Sequence, residues 1–185
     1  MPLDVGVGIL LAISCRALFN VPLTASLVLW SIGFALLPDI DVFPELIQRK
    51  GKLGGKEIGL HRELAHFPLT YLIPAVIIFY FVGPPWGYLF LCGVLLHLLH
   101  DSVGMGWGIK WLWPFSQNSY KFFADRENNM AWQPLIVWKP EALGAAVREY
   151  GKPDWFRRYY LELHPIVLIE IGVLLFAIGM LVLKF

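Results

Sequence analysis

Charged residues are scarce in this 185-residue chain. Asp, Glu, Lys and Arg together make up 16% of it, whereas 57% of the residues are hydrophobic. A soluble globular protein carries about 25% charged residues, because its surface must face water. The deficit indicates that lipid covers part of the surface, and it excludes an ordinary soluble domain. The net charge is only +1, so no overall basic field favours a nucleic-acid partner.

Cysteine is scarce as well. The two cysteines, Cys15 and Cys92, lie in separate apolar stretches and form no CxxC pair, which argues against a disulfide framework or a cysteine zinc site. The N-terminus lacks the basic region and the small-residue cleavage site of a signal peptide, and Asp4 is its only early charge. We therefore expect the first apolar stretch to be a retained membrane segment.

Long apolar stretches are what the sequence does contain. A spanning helix needs about 20 apolar residues, with about 17 as the lower end. Gly83-Pro84-Pro85 breaks one long stretch into a hairpin of two shorter helices. The sequence predicts an all-α, multi-pass transmembrane bundle that forms a single integral membrane domain over residues 1–185, with four spans and an interfacial first segment as the alternative. The predicted spans, about five in number, are 3–19, 21–37, 68–83, 86–100 and 165–183.

The distribution of positive charge predicts the orientation. All of the 15 Lys and Arg residues except Arg16 and Lys184 fall in the 38–67 loop or in the 101–163 segment. The positive-inside rule places both segments in the cytoplasm. The 101–163 segment is also rich in tryptophan, which is typical of the membrane interface. We expect this segment to form a polar and aromatic cap at the cytoplasmic face.

Histidine and aspartate side chains gather at the ends of three predicted spans. His97 and Asp101 are four residues apart at the end of the fourth span, so they share one helical face, which His100 borders. Such a pair can give an imidazole nitrogen and a carboxylate oxygen to one metal ion. The other two groups are Asp39 and Asp41, directly after the second span, and His61 and His66, directly before the third. The predicted topology brings all three groups to one membrane face. The predicted metal ligands are Asp39, Asp41, His61, His66, His97 and Asp101.

This set of ligands favours one or two divalent ions. Imidazole and carboxylate suit Zn²⁺ best, with Mn²⁺ and Fe²⁺ as alternatives. Glu170, within the last span, is a further candidate: it could orient a ligand histidine, act as a ligand itself or join two helices. His164 lies at the start of that span. Each group taken alone also fits a purely structural role at a helix end. The three together favour a metal centre.

The three groups, in this order, resemble the YdjM-like family of inner-membrane proteins. The family pattern runs LPDxD, then HRxxTHS, then HxxLD followed by a glycine turn and a WPF-like stretch. Here it reads Leu37–Asp41, His61–Phe67 and His97–Asp101, continuing to Trp113-Pro114-Phe115. Ala65 and Phe67 stand where the family has Thr and Ser, and His100 takes a usually aliphatic position. The resemblance implies a multi-pass membrane fold and metal-dependent hydrolase activity. The ligand types are also similar to those of zinc-dependent phospholipase C enzymes.

Three functional hypotheses follow. The first is an inner-membrane hydrolase of a lipid or lipid-linked phosphoester, with its metal site at the cytoplasmic face and a metal-activated water as nucleophile. Arg62 would then hold the substrate phosphate, and Asp39 or Asp101 would act as general base. The second is a metal or ion transporter that uses the same ligands transiently together with Glu170. The third is a non-catalytic scaffold with a structural metal.

Overall fold

The computed structural model of the protein describes residues 2–48, 65–103, 106–123, 133–150 and 157–184. The described chain is mostly helical and divides into two compact units. Unit 1 comprises Met1–Pro38, Thr70–His97 and Leu163–Phe185, and unit 2 comprises Asp39–Leu69 and Leu98–Glu162. The predicted His61 and Arg62 lie outside the described residues.

Unit 1 is built from apolar helices. These are α1 (Pro2–Phe19), α2 (Ala25–Leu36), α4 (Leu72–Phe81), the larger part of α5 (Pro84–Val103) and α7 (Pro165–Val182). Within the described residues, four apolar stretches are long enough to cross a membrane: Pro2–Phe19, Ala25–Pro44, Pro84–Val103 and Pro165–Val182. Pro68–Phe81 is a shorter apolar helix. The prediction of a helical, multi-pass bundle with about five spans is therefore confirmed.

Local signals set where these helices begin and end. Asn20 adopts a positive φ of 52° directly after α1, and the Thr24 side chain accepts a hydrogen bond from the Leu27 N–H (3.1 Å) at the start of α2. Such a cap satisfies one of the free N–H groups of the first turn. Gly83, with φ of 127°, separates α4 from α5 at the predicted Gly-Pro-Pro break. The break between α4 and α5 therefore lies where the sequence predicts it.

Close helix packing holds unit 1 together. A Cβ on Gly8 would lie 2.6 Å from the Ile32 Cα, and one on Gly6 would lie 3.0 Å from the Leu174 Cα. Glycine at these two positions lets α1 approach α2 and α7 at backbone distance, as small residues do between membrane helices. The buried Ser31 hydroxyl donates to the Gly8 carbonyl (2.7 Å) and links α2 to α1. Alpha1 is thus packed against two other helices.

Unit 2 contains a short sheet as well as helices. A 3₁₀ turn (Leu37–Asp41) leads from unit 1 into α3 (Val42–Gln48), and the end of α5 is followed by β1 (Ser119–Phe122) and β2 (Leu135–Trp138). The two strands are antiparallel, with Ser119 opposite Trp138. Alpha6 (Pro140–Tyr150) packs on β2, and a π-helix covers Arg157–Leu161. The sequence did not predict this hairpin within the 101–163 segment.

The loop after α5 is fastened to β1. The Lys121 side chain is buried, and its ammonium group donates to the Gly106 carbonyl (2.7 Å). Ile109 exchanges backbone hydrogen bonds with Tyr120. Gly108 has φ of 79°, and a Cβ there would collide with the Tyr120 carbonyl. Only glycine fits such a backbone approach without strain, so this contact fixes the course of the chain after Asp101.

Candidate metal centre

The two aspartates after α2 face different surroundings. Pro38 ends the α-helical hydrogen bonding, and the chain continues as the 3₁₀ turn that carries Asp39 and Asp41. Asp41 is 2% exposed, Asp39 is partly buried, and Ile40 between them is exposed. Because residues two apart point in different directions on a 3₁₀ helix, the two carboxylates differ in their exposure.

His66 is the centre of the group in unit 2. Its side chain is fully buried, and its Nδ1 lies 2.9 Å from Asp41 Oδ2. The same Asp41 oxygen accepts the backbone N–H of Ala65 (3.2 Å). On the other side of the ring, Nε2 lies 2.9 Å from Asp101 Oδ2. The imidazole is therefore held between a carboxylate of the 3₁₀ turn and a carboxylate at the end of α5.

This position alters the protonation of His66. Burial by itself lowers the pKa of the ring, but hydrogen bonds to Asp101 and Asp41, together with their charges, raise the pKa from 6.5 to about 9. Without a metal ion, the ring is therefore a buried imidazolium at neutral pH. A positive charge at this point compensates two carboxylates. A divalent cation provides the same compensation, and it binds the neutral ring.

Asp39 also approaches His66. One Asp39 carboxylate oxygen and one ring nitrogen of His66 lie within 4.8 Å of each other. Two ligands of a zinc ion, each bonded at about 2.0–2.1 Å, are separated by less than this distance. The donor types and the spacing in unit 2 therefore fit a divalent ion bound by an imidazole and carboxylates.

The second buried histidine belongs to unit 1. His97, on α5, is 3% exposed, and its Nδ1 lies 3.1 Å from Oδ1 of Asp4, which is 2% exposed. In the sequence, Asp4 is distinguished only as the one early charge, and no motif assigns it to the site. One sequence feature could have identified Asp4: it lies in the first turn of an apolar helix, where a buried carboxylate is costly and needs a partner.

The end of α5 is held in place by polar contacts within unit 2. The Ser102 hydroxyl donates to the Leu98 carbonyl (2.8 Å) and accepts from the Trp111 indole N–H (2.8 Å). Ser102 and Leu98 are fully buried. Farther along, the ring of Trp113 stacks on Phe67 at a centroid distance of 4.7 Å. These contacts fix the residues on either side of Asp101 and His66.

The other candidate residues from the sequence lie on α7 or at its N-cap, on α5 or outside the described residues. His164 is the N-cap of α7, where its Nδ1 accepts the Ile166 N–H (3.2 Å), and this contact accounts for it structurally. Glu170 is 3% exposed within α7. His100 is partly buried next to Asp101. The roles of His61 and Arg62 stay predictions, since both lie outside the described residues.

The long apolar helices define a polytopic membrane protein, and it contains two buried histidine–carboxylate pairs. The chain belongs to the YdjM inner membrane protein family, whose family model matches residues 4–182. The resemblance noted in the sequence is thus confirmed. The family and the long apolar helices support an inner-membrane location.

A curated relative is inner membrane protein YbcI of Escherichia coli (strain K12). It is 35% identical over 130 residues, which cover 65% of this chain and 66% of the relative, just under two thirds of its length. No solved structure matches the chain. The names of the family and of the relative give an inner-membrane location and name no reaction.

Proposed function

We propose that the protein is a membrane-embedded, metal-dependent hydrolase of a lipid or lipid-linked phosphoester. The observation that carries the proposal is the burial of His66 between Asp41 and Asp101, with both ring nitrogens 2.9 Å from a carboxylate oxygen. Burying an imidazolium with two carboxylates costs free energy, because the charges lose their hydration, so it is an unfavourable way to join two segments. The same groups are natural ligands for a divalent ion.

We propose that Asp39, His66 and Asp101 of unit 2 bind the metal, and that His97, predicted from the sequence as a ligand, binds it as well. His97 and Asp101 lie one turn apart on α5, so their side chains project from the same helical face. His66 Nε2 lies 2.9 Å from Asp101 Oδ2, so these two side chains are close enough to bind one ion. Asp41, first predicted as a ligand, acts in this proposal by holding His66 Nδ1.

A bound Zn²⁺ would supply activation of water and stabilisation of charge on the phosphoryl oxygens. The chain's own residues supply the rest. Asp41 and its contact with the Ala65 N–H fix the orientation of the His66 ring. The buried Leu98 side chain excludes water beside the ligands of α5, which strengthens the electrostatic interactions there. An aspartate of the site that does not bind the ion would accept a proton from the attacking water.

The choice of a lipid substrate is supported by the location of these residues. Asp39 and Asp101 lie near the ends of stretches that are apolar and long enough to cross a membrane. In unit 2, Leu112 and Phe115 expose 47% and 88% of their surface, and such side chains suit the headgroup region of a bilayer. A phosphoester carried on a lipid would reach ligands at this depth. Arg62 remains the predicted phosphate-binding residue.

The test is metal analysis of the purified protein in detergent. We expect one or two zinc-type ions per wild-type chain, and a marked loss in His97→Ala and in Asp101→Ala. His164→Asn is the matched control: it removes a histidine at a helix end but keeps an N-cap residue, and its metal content should equal that of the wild type. A metal-free wild type after mild purification and incubation with zinc would refute the proposal.

Turnover is tested with a panel of phospholipids that differ in headgroup, with products read by mass spectrometry. The wild type should release a headgroup or a phosphate in the presence of zinc and lose this activity after chelation. Asp101→Ala should be inactive, and His164→Asn should be active. Full zinc occupancy without turnover on any phosphoester lipid would instead favour a structural metal, and zinc flux into proteoliposomes would favour a transporter.

A further inference from the structure

Asp4 is a buried carboxylate near the beginning of α1 that the proposed mechanism does not use. It is 2% exposed, and its Oδ1 lies 3.1 Å from Nδ1 of His97. The other charged residue of this helix, Arg16, lies at its far end and is exposed. Because an ionised group deep in an apolar environment is costly, its retention beside a histidine needs a physical reason.

The contact determines which nitrogen of His97 is available. A carboxylate accepts hydrogen bonds and donates none when it is ionised. Asp4 therefore favours the tautomer with a proton on Nδ1, and the lone pair then lies on Nε2. Histidines that bind metals commonly donate the other ring N–H to a carboxylate or carbonyl, which fixes the ring and raises its basicity.

His66 has the same arrangement in the other unit. Its Nδ1 is bonded to Asp41, and its Nε2 is directed to Asp101. The Asp4–His97 and Asp41–His66 pairs arise from different segments of the chain, yet both place a carboxylate on Nδ1 of a buried histidine. In both pairs the carboxylate on Nδ1 leaves Nε2 as the nitrogen that can bind an ion.

We propose that Asp4 is a positioning residue of the metal centre: it holds the His97 ring with Nε2 presented to the ion. This inference rests on the proposed metal site and extends it to α1. The competing explanation is that the Asp4–His97 contact only joins α1 to α5. That explanation predicts lower stability without Asp4 and no change in metal binding by the folded protein.

The experiment compares Asp4→Asn and Asp4→Glu with the wild type. Zinc affinity is measured by competition with a chromogenic chelator, and the visible spectrum of the cobalt-loaded protein reports ligand geometry. We expect Asp4→Asn to bind zinc about 10- to 100-fold more weakly and to shift the cobalt spectrum. Asp4→Glu, which keeps the carboxylate, should recover part of the affinity. Melting temperatures of the metal-free proteins establish that each variant is folded.

Ser31→Ala is the matched control. Ser31 is also buried in unit 1 and is also bonded to α1, but its hydrogen bond goes to the Gly8 carbonyl (2.7 Å) and not to His97. It should lower the melting temperature and leave zinc affinity and the cobalt spectrum unchanged. An Asp4→Asn protein that behaves like Ser31→Ala would overturn the proposal.

A double-variant cycle gives the decisive comparison. If Asp4 acts through His97, Asp4→Asn should weaken zinc binding in the wild-type background and have little further effect in the His97→Ala background. Equal losses in both backgrounds would overturn the inference. The result is separable from the proposed function itself: a wild type that binds no metal refutes the metal site, whereas a wild type that binds metal and is insensitive to Asp4→Asn refutes only the role of Asp4.

Discussion

The proton on His66 is predicted to make the stability of the metal-free protein fall as pH rises. His66 is fully buried, and Asp41 and Asp101 together raise its pKa from 6.5 to about 9, although burial alone would lower it. One pKa unit corresponds to about 1.4 kcal/mol of differential interaction. The bound proton therefore contributes about 3 kcal/mol to folding, which is a large part of the stability of a typical domain.

The direction of the effect follows from which state binds the proton more tightly. A histidine whose pKa is raised by folding stabilises the folded state fully below pH 6.5, and the contribution is lost as pH rises through about 9. Metal binding should show the opposite trend, because the ion binds the neutral ring and displaces the proton. Zinc affinity should therefore rise up to about tenfold per pH unit until pH is near 9.

The assay is a series of melting curves in detergent from pH 6 to 10, once with chelator and once with saturating zinc. The metal-free wild type should melt at a lower temperature as pH rises, and the stabilisation by zinc should grow. His66→Gln removes both trends, and Asp101→Asn reduces the first by removing one of the two carboxylates bonded to the ring. A metal-free profile of equal slope in the wild type and in His66→Gln would show that this reasoning is wrong.

Three further predictions concern the packing that supports the site. Gly8→Ala places a Cβ 2.6 Å from the backbone of α2 and should lower the free energy of unfolding by about 1–3 kcal/mol. Gly33→Ala is the control: a Cβ there has nothing within 4 Å, so the change should be neutral or stabilising by up to about 1 kcal/mol. Thermal unfolding of the two variants checks this. Gly108→Ala should lower the melting temperature and expose the β1–β2 region to limited proteolysis, because its φ is positive and the β1 backbone blocks the new Cβ. Trp111→Phe removes the hydrogen bond to the buried Ser102 and should cost about 1 kcal/mol in thermal unfolding, while Ser102→Ala in the same background should add little.

The helices were predictable because membrane spans are set by composition over a long window. The predicted spans 86–100 and 165–183 correspond to α5 (Pro84–Val103) and α7 (Pro165–Val182). The β1–β2 hairpin was not predictable in the same way, since its strands are only four residues each and depend on contacts with the loop after α5. Short strands have little periodicity to detect.

The candidate site was also predictable only in part from the sequence. The spacing of His97 and Asp101 on one helix is a local property, and α5 includes both residues. The roles of Asp4 and Asp41 depend on contacts between residues far apart in sequence, at 3.1 Å and 2.9 Å from the two histidines. Sequence spacing shows that a carboxylate is near a helix end. It does not show whether that carboxylate binds a metal ion directly or lies next to Nδ1 of a histidine.

Three carboxylates of unit 2 lie around one histidine, His66. Asp41 and Asp101 are both bonded to His66, and a carboxylate oxygen of Asp39 is within 4.8 Å of one of its ring nitrogens. A neutral imidazole would leave these carboxylates close together in a buried environment, where like charges repel strongly. A cation at this position removes the repulsion, and either a proton on His66 or a divalent ion can provide it. Because the two compete for the same ring, a link between pH and metal occupancy follows from the arrangement itself and needs no additional switch.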